Sequence, residues 1–574
     1  MVTRFFSNLD PPSFILGIVL AFFCYFIYRA IQNFARSFST RKENRANSNR
    51  HHQIHIAGQK YLGTLLKKVQ SNHFFRDYCP LEDLLVPPKF AYYPNSFFPS
   101  DMQSSSLTAY DHVPFLPFCS GYFVPSHLPG ISLIDAIKSS NRIVIIGESG
   151  NGKTTAICDA VTQLIHFSPS SDNENDLIPL YCDLFELYKG NIDFRDTDFI
   201  EFVRDRCPML ENQPRNKYLT EYLMAAIENG KLVFFLDGLD ELPPSSFDVM
   251  VRWFGTMLKK YPSVKCIVTA SPHYLGNLLQ EGFSPLFLAE WSNNEREEFI
   301  DRVSLMLYSG DDHSQPKING VSKYERLLLN TWIRETTRLM RPVEICFLIL
   351  FGYSMTSIPK DRKSIFRSYF CFVGIAEPDH TELTSYAYEM ISRNSYYFPL
   401  EPNSPADNQM PVGPHRILSK KTFEALKDSG LIKVNENGWW KFTHPYLISL
   451  VSSLEDHNFQ IQSSLNPNQL SWCVALDCLI QMAESNLKSF DEFISVALAD
   501  NSPDQHQFLI ALLIYNHVPN SNPEKTKLLR RFIQLLQDSS IPVTTKTWIA
   551  INGISKNPEG YPVLKHLASS DHAD

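Results

Sequence analysis

Two short clusters carry residue types able to handle a phosphate group. The first is Gly147-Glu-Ser-Gly-Asn-Gly-Lys-Thr-Thr155. Glycines at 147, 150 and 152 let a loop take positive φ and bring its N–H groups close to phosphate oxygens. Lys153 offers a point charge to the β- and γ-phosphates, and the Thr154 hydroxyl a ligand for Mg2+. Glu148, Ser149, Asn151 and Thr155 complete the candidate cradle. The second cluster is Asp237-Gly-Leu-Asp-Glu241. A carboxylate at Asp237 can hold Mg2+, usually through water. Glu241, with Asp240 close behind, is the candidate base that polarises an attacking water.

Both clusters need rigid elements to aim them. Ile143–Ile146 and Leu232–Leu236 are wholly apolar runs of the kind found in parallel strands buried on both faces. After Lys153 the apolar residues Ala156, Ile157, Ala160, Val161, Leu164 and Ile165 fall at helical spacing. The loop therefore joins a strand to a helix N-terminus, where backbone donors and the dipole favour an anion. The strand ending in Asp237 is expected beside the loop's own strand. Further apolar runs at Leu177–Tyr181, Val264–Val268 and Leu286–Leu288 alternate with helical segments, which predicts a parallel sheet with flanking helices. Thr269, at the end of the Val264 run, lies where a strand could present a polar group to the γ-phosphate. Together these features predict a P-loop NTPase core binding ATP or ADP with Mg2+.

The 574 residues allow three or four domains. A net charge of -8 gives no reason to expect specific nucleic-acid binding. The eleven cysteines form no CxxC pair and no zinc spacing, and their apolar settings suit a reducing compartment. Near the N-terminus no residue between Asp10 and Arg29 is charged. Ten Leu, Ile, Val or Phe residues in Phe14–Tyr28 favour membrane insertion by about -3 to -6 kcal/mol. A cleaved signal peptide or a buried core helix are the competing readings, but no A-x-A-like site and no polar stripe is evident. Arg29, Arg36, Arg41, Lys42, Arg45 and Arg50 follow, against Arg4 alone upstream. This asymmetry predicts a single-pass helix in the inner (cytoplasmic) membrane, N-terminus out and the NTPase in the cytoplasm. The basic stalk after it can touch anionic lipid.

Gly147–Thr155, the Asp237–Glu241 block and Trp291-Ser292 resemble a NACHT module, a branch of the STAND class of signalling NTPases related to AAA+ proteins. Met340-Arg-Pro342 before an apolar helix is similar to the family's small helical domain, whose proline contacts nucleotide. Phe423–Ile432 followed by Trp440-Lys-Phe-Thr-His444 looks like its winged-helix domain. The resemblance implies that His444 reaches the β-phosphate in a closed, ADP-bound state. It covers roughly residues 120–455. Relatives usually carry a Thr-Ser-Arg-Pro-like turn after the strand corresponding to Val264–Val268, whereas Thr269-Ala-Ser-Pro272 has Ser271 in the arginine's place. A neutral serine cannot supply that charge to a transition state, so slow hydrolysis, or a cation from a neighbouring subunit, is expected.

The expected domains are a transmembrane helix at 12–30, a basic stalk and linker at 31–120, the nucleotide-binding domain at 121–290, a small helical domain at 291–360, a winged-helix-like domain at 361–455 and a C-terminal α-helical array at 456–574. In the last, Gln469–Glu484, Phe490–Leu498, Phe508–His517 and Lys525–Gln537 carry helix-spaced apolar residues without a clear repeat. It reads equally as a packed cap or as a sensor of an unknown trigger. No catalytic effector is recognisable before residue 120. The resemblance implies a switch that forms a homo-oligomer on ATP binding, by analogy in bacterial antiphage defence or stress response. A membrane-tethered ATPase for remodelling or transport, and a nucleotide-stabilised scaffold, are the rival readings.

Overall fold

The computed structural model describes residues 11–76, 79–92, 131–147, 149–166, 177–187, 199–206, 217–242, 244–270, 275–289, 291–308, 341–353, 377–393, 396–399 and 420–452, with isolated positions between 367 and 375 and after 525. Of the four helices expected after residue 469, the first three lie outside the described residues, and in Lys525–Gln537 the described positions Thr526, Lys527, Arg530, Ile533, Gln534, Leu536 and Gln537 are helical. Helices in chain order are α1 (Pro11–Gln70), α2 (Leu81–Leu84), α3 (Leu133–Ser139), α4 (Lys153–His166), α5 (Leu184–Leu187), α6 (Phe199–Arg206), α7 (Lys217–Glu228), α8 (Pro244–Lys260), α9 (Leu275–Gln280), α10 (Asn293–Tyr308), α11 (Pro342–Tyr353), α12 (Glu377–Arg393), α13 (Lys420–Asp428) and α14 (Pro445–Ser452). The chain divides into two compact units, residues 1–63 with 215–225, and residues 64–214 with 226–574.

In the first unit, Arg50 of α1 donates to Glu221 of α7 at 2.9 Å. Gly58 lets the Tyr222 ring come so close that an added Cβ would lie 2.6 Å from it. Upstream, Ile15–Phe34 is long and apolar enough to cross a membrane, and none of that window is buried. Leu16, Phe22 and Phe23 are each more than 60 % exposed. Water would not tolerate such a continuous apolar surface without cost.

The second unit is built on a six-stranded sheet in the order β1-β6-β2-β5-β4-β3. Its strands are β1 (Phe90–Tyr92), β2 (Arg142–Ile146), β3 (Ile178–Asp183), β4 (Leu232–Asp237), β5 (Lys265–Ala270) and β6 (Ser284–Leu288). Five run parallel, and the short β1 pairs antiparallel with β6 at the edge. Ile143 to Ile146 and Leu232 to Leu236 are at most 1 % exposed, because helices cover both faces. Helix α4 buries Ala156, Ile157, Ala160, Val161 and Leu164. Each of its large apolar side chains contributes about 1.5–3 kcal/mol on full burial.

Two expectations change. The strand ending in Asp237 is not beside the loop strand: β5 lies between β2 and β4. Consequently Thr269 of β5 turns to its neighbour, accepting from Gly238 N at 2.9 Å and donating to Asp237 at 2.8 Å. It buttresses the acidic turn and does not line the site's cavity.

Helix α10 begins with a capping box: Ser292 Oγ accepts from Glu295 N at 3.3 Å, and Glu295 accepts from Ser292 N at 2.7 Å. Further along, β7 (Phe398–Pro399), β8 (Ile432–Val434) and β9 (Trp439–Phe442) form a small antiparallel sheet in the order β7-β9-β8. Helix α13 stops at Gly430 (φ +70°), where Leu431 N donates to Leu426 O at 2.9 Å. The hairpin tip is held by Asn435, whose side chain accepts from Trp439 N at 2.9 Å and donates to Phe185 O at 2.8 Å.

Candidate functional site

At the end of β2 the chain turns through Gly150 and Gly152, whose φ values of +91° and +95° require glycine. Gly147 is not in that region of φ. Its contribution is a carbonyl that accepts from Lys153 Nζ at 2.8 Å. Lys153 is the first residue of α4 and is buried, 3.0 Å from Asp240. An ammonium beside a helix N-terminus sits in an unfavourable field, so this arrangement seeks an anion. Glu148 lies outside the described residues, as does Ser271, so the turn expected to lack an arginine carries no structural account.

The acidic block forms a turn at the end of β4. Gly238 (φ +84°) redirects the chain into a 3-10 turn at Leu239–Glu241. Its two carboxylates part company: Asp240 pairs with Lys153, and Glu241 with Lys441 of β9. Asp237 is buried, held by Thr269 and by a side-chain hydrogen bond from Thr154. Burial and the adjacent Asp183 push its carboxyl above the usual range. Asp183 is its register neighbour on β3. Burial opposes the ionised form of Asp183 too, but Lys441 and Lys433 outweigh it and hold its pKa below the ordinary value.

The loop is covered by elements far downstream. Arg341 donates to Ser149 O at 3.0 Å, and Val343 N to Gly150 O at 3.2 Å. The approach is tight, since a Cβ on Gly150 would lie 2.3 Å from Val343. Pro342 opens α11, a position where its missing N–H costs nothing. Arg341 is fixed by Glu344 at 2.9 Å and by the Tyr446 ring, 5.1 Å away. His444 packs against the same loop, its Nδ1 accepting from Tyr446 N at 3.1 Å. That bond makes Nε2 the protonated nitrogen, a donor left for a ligand. Burial first, then Arg341 and Lys153, push the His444 pKa well below its ordinary value, so the ring is neutral.

These residues enclose a cavity of 380 Å³, within the range of small-molecule sites. Ser149 to Thr155, Pro342, His444, Asp237, Asp240 and Glu241 line it. Leu81, Val86, Pro88 and Phe299 supply an apolar region suited to a base. The donor set fits a magnesium nucleotide. Positive-φ glycines and a helix N-terminus suit phosphates; Thr154 beside a buried Asp237 suits Mg2+; and the buried Asn151 Oδ1 has no partner among the described residues. Sequence reasoning missed Arg341, Asp183 and Lys441. Arg341 adjoins the quoted proline and was within reach. Lys441 stood out only as a lysine inside an otherwise apolar strand.

The fold and the loop geometry define a nucleotide-binding P-loop NTPase. Residues 141–304 match the family model of the NACHT domain. No curated protein sequence matches the chain. Among solved structures, a Walker-type ATPase of Pyrococcus abyssi is similar at 14 % identity over 56 % of this chain and 93 % of that one, TM-score 0.29. A RuvB variant of Thermotoga maritima is similar at 14 % over 54 % and 88 %, TM-score 0.22. The ORC1 protein of Aeropyrum pernix, in complex with DNA, is similar at 13 % over 58 % and 95 %, TM-score 0.26. At these scores none of the three bears on what this chain binds or does.

Proposed function

We propose that the chain is a membrane-anchored, ATP-responsive signalling switch of the STAND type. ADP is held while the elements around Pro342 and His444 cover the loop. A trigger with ATP releases them and drives homo-oligomerisation. The observation that carries this reading is the cover itself: Arg341 and Val343, at the start of α11, bond directly to the loop's backbone carbonyls, and Val343 and His444 crowd Gly150. A motor with rapid turnover needs nucleotide to leave; a loop fastened by its own downstream chain favours retention.

Within this reading Lys153 and the loop amides, with Glu148 to Thr155, take the phosphates. Thr154 and Asp237 would hold Mg2+, which would supply positive charge to offset that of the phosphates. Pro342 and His444 contact the nucleotide from the cover. Glu241, with Asp240 as second candidate, orients the attacking water, and hydrolysis is slow. The boundaries at 120, 290, 360 and 455 separate the working parts. Ile15–Phe34 is the anchor, N-terminus outward by the positive-inside asymmetry, and clustering of these helices is the output. A role in bacterial defence against phage or in stress rests on family analogy alone.

The test is native mass measurement of the detergent-solubilised chain with ADP and with a non-hydrolysable ATP analogue, alongside steady-state turnover. Retained ADP on a monomer, and a larger species with the analogue plus cell extract, are expected. Fast turnover without a trigger supports the remodelling ATPase. A monomer under every condition removes ATP-driven assembly.

A further inference from the structure

The winged hairpin β8–β9 meets the nucleotide core at an ionic contact that the loop chemistry does not require. Lys441 of β9 is 6 % exposed and its partner Glu241 17 % exposed. Tyr397 also donates to Glu241 at 3.4 Å. The ammonium sits 4.9 Å from the Phe185 ring and 5.7 Å from the Tyr397 ring, within range of cation–π attraction. The hairpin tip docks beside it through Asn435 and Asn437, which donate to the carbonyls of Phe185 and Glu186.

We propose that Lys441 is a latch: by pairing with Glu241 it fastens the winged hairpin to the acidic turn and withholds that carboxylate from the nucleotide. The inference rests on the switch reading above and gives it a named contact. Both residues line the nucleotide cavity, so a triphosphate entering it brings negative charge that competes for Lys441. The contact is suited to release. Among the described residues the hairpin pairs only within its own small sheet, so it can withdraw without breaking a strand of the core. Losing either partner while the hairpin stays docked leaves an uncompensated buried charge. Burial works against the Lys441 ammonium, but Glu241, Asp183 and Asp237 outweigh it and raise its pKa, so the latch is charged at neutral pH.

The test uses the full chain in detergent micelles, loaded with a fluorescent ADP analogue and chased with excess unlabelled ADP. Lys441→Met strands Glu241 in the closed state and should speed release at least about tenfold. Lys441→Met with Glu241→Gln removes both charges, leaves Asp183 with Lys433 and Lys68, and should release faster than wild type but more slowly than the single variant, because no charge is left stranded. Unchanged release in the single variant overturns the latch while leaving the switch standing. A double variant as fast as the single overturns it too, because Lys441 then acts through another partner. If the single variant cannot be isolated folded, a folded double variant that sheds the analogue faster than wild type supports the latch, and one that holds it as long as wild type overturns the latch. Loss of both marks Lys441 as a packing residue and overturns it. Wild-type protein that sheds the analogue at once overturns the switch reading, and the latch with it.

Discussion

Two buried lysines meet two consecutive carboxylates, and the contacts differ in what holds them. Lys153 is gripped from within the core: the Gly147 carbonyl takes one hydrogen bond and Asp240 an ion pair, all within the elements around β2 and β4. Lys441 arrives on a hairpin of a separate sheet, fixed by Glu241 and two aromatic rings. The first contact is inseparable from the sheet that builds the site. The second joins that sheet to another. The comparison teaches that one short acidic turn serves a lysine of the core on one side and a hairpin of another sheet on the other, because the turn at Leu239–Glu241 sends adjacent side chains to different partners.

The largest expected effect tests the core side. Lys153→Ala removes a charge-assisted contact to phosphate and should weaken nucleotide binding by about 3 kcal/mol, roughly two orders of magnitude. Equilibrium titration with a fluorescent ADP analogue reads it. If affinity changes less than about threefold, Lys153 is there for Asp240 and not for a nucleotide.

Next come two glycines that separate backbone strain from the cover. Gly150→Ala adds a Cβ 2.3 Å from Val343 at φ +91° and should lower the unfolding free energy by about 2–4 kcal/mol. Gly152→Ala has φ +95° but no neighbour nearer than 3.9 Å, so only strain of about 1–2 kcal/mol applies. Thermal unfolding of the two variants should differ clearly. Equal losses would mean that Val343 yields, and that α11 does not press on the loop. Smaller again is Thr269→Val, which strips a hydrogen bond from Asp237 and orphans Gly238 N; a loss of about 1–2 kcal/mol is expected by the same measurement.

The core side was legible because each requirement leaves a local trace. Glycine marks positive φ, a four-residue apolar run marks a doubly covered strand, and helical spacing after Lys153 marks the face of α4. Strand order leaves no such trace. Nothing in Val264–Val268 says that it inserts between β2 and β4, so the neighbour of Asp237 was misplaced and Thr269 assigned to phosphate. Long-range partnerships are equally silent. Lys441 lies 200 residues from Glu241, and the run Trp439-Trp-Lys-Phe442 shows only that a lysine is being buried. Asp183 was invisible because a carboxylate at a strand end is ordinary until its register partner is known to be Asp237.

The smallest prediction concerns His444, the neutral residue between the two lysines. Its pKa in the folded protein lies well below the ordinary value, for burial and for the facing cations Arg341, Lys153, Lys441 and Lys433. Once the cover opens or the chain unfolds, the ring titrates near 6.5. Below that pH the open form binds a proton that the closed form refuses, so stability is fully present above about 6.5 and is lost as pH falls toward the folded pKa. From pH 7.5 to 5.5 the loss should reach about 1 kcal/mol. Burial raises the Asp237 and Glu241 carboxyls above their ordinary values, so the measurement is a difference: unfolding at the two pH values for wild type and for His444→Gln. Glutamine can still accept from Tyr446 N but cannot be protonated, and the pH-dependent part should shrink by that amount. An identical pH dependence in both proteins would show that His444 meets no more resistance to protonation when packed than when free, and that the cover leaves the ring open to solvent.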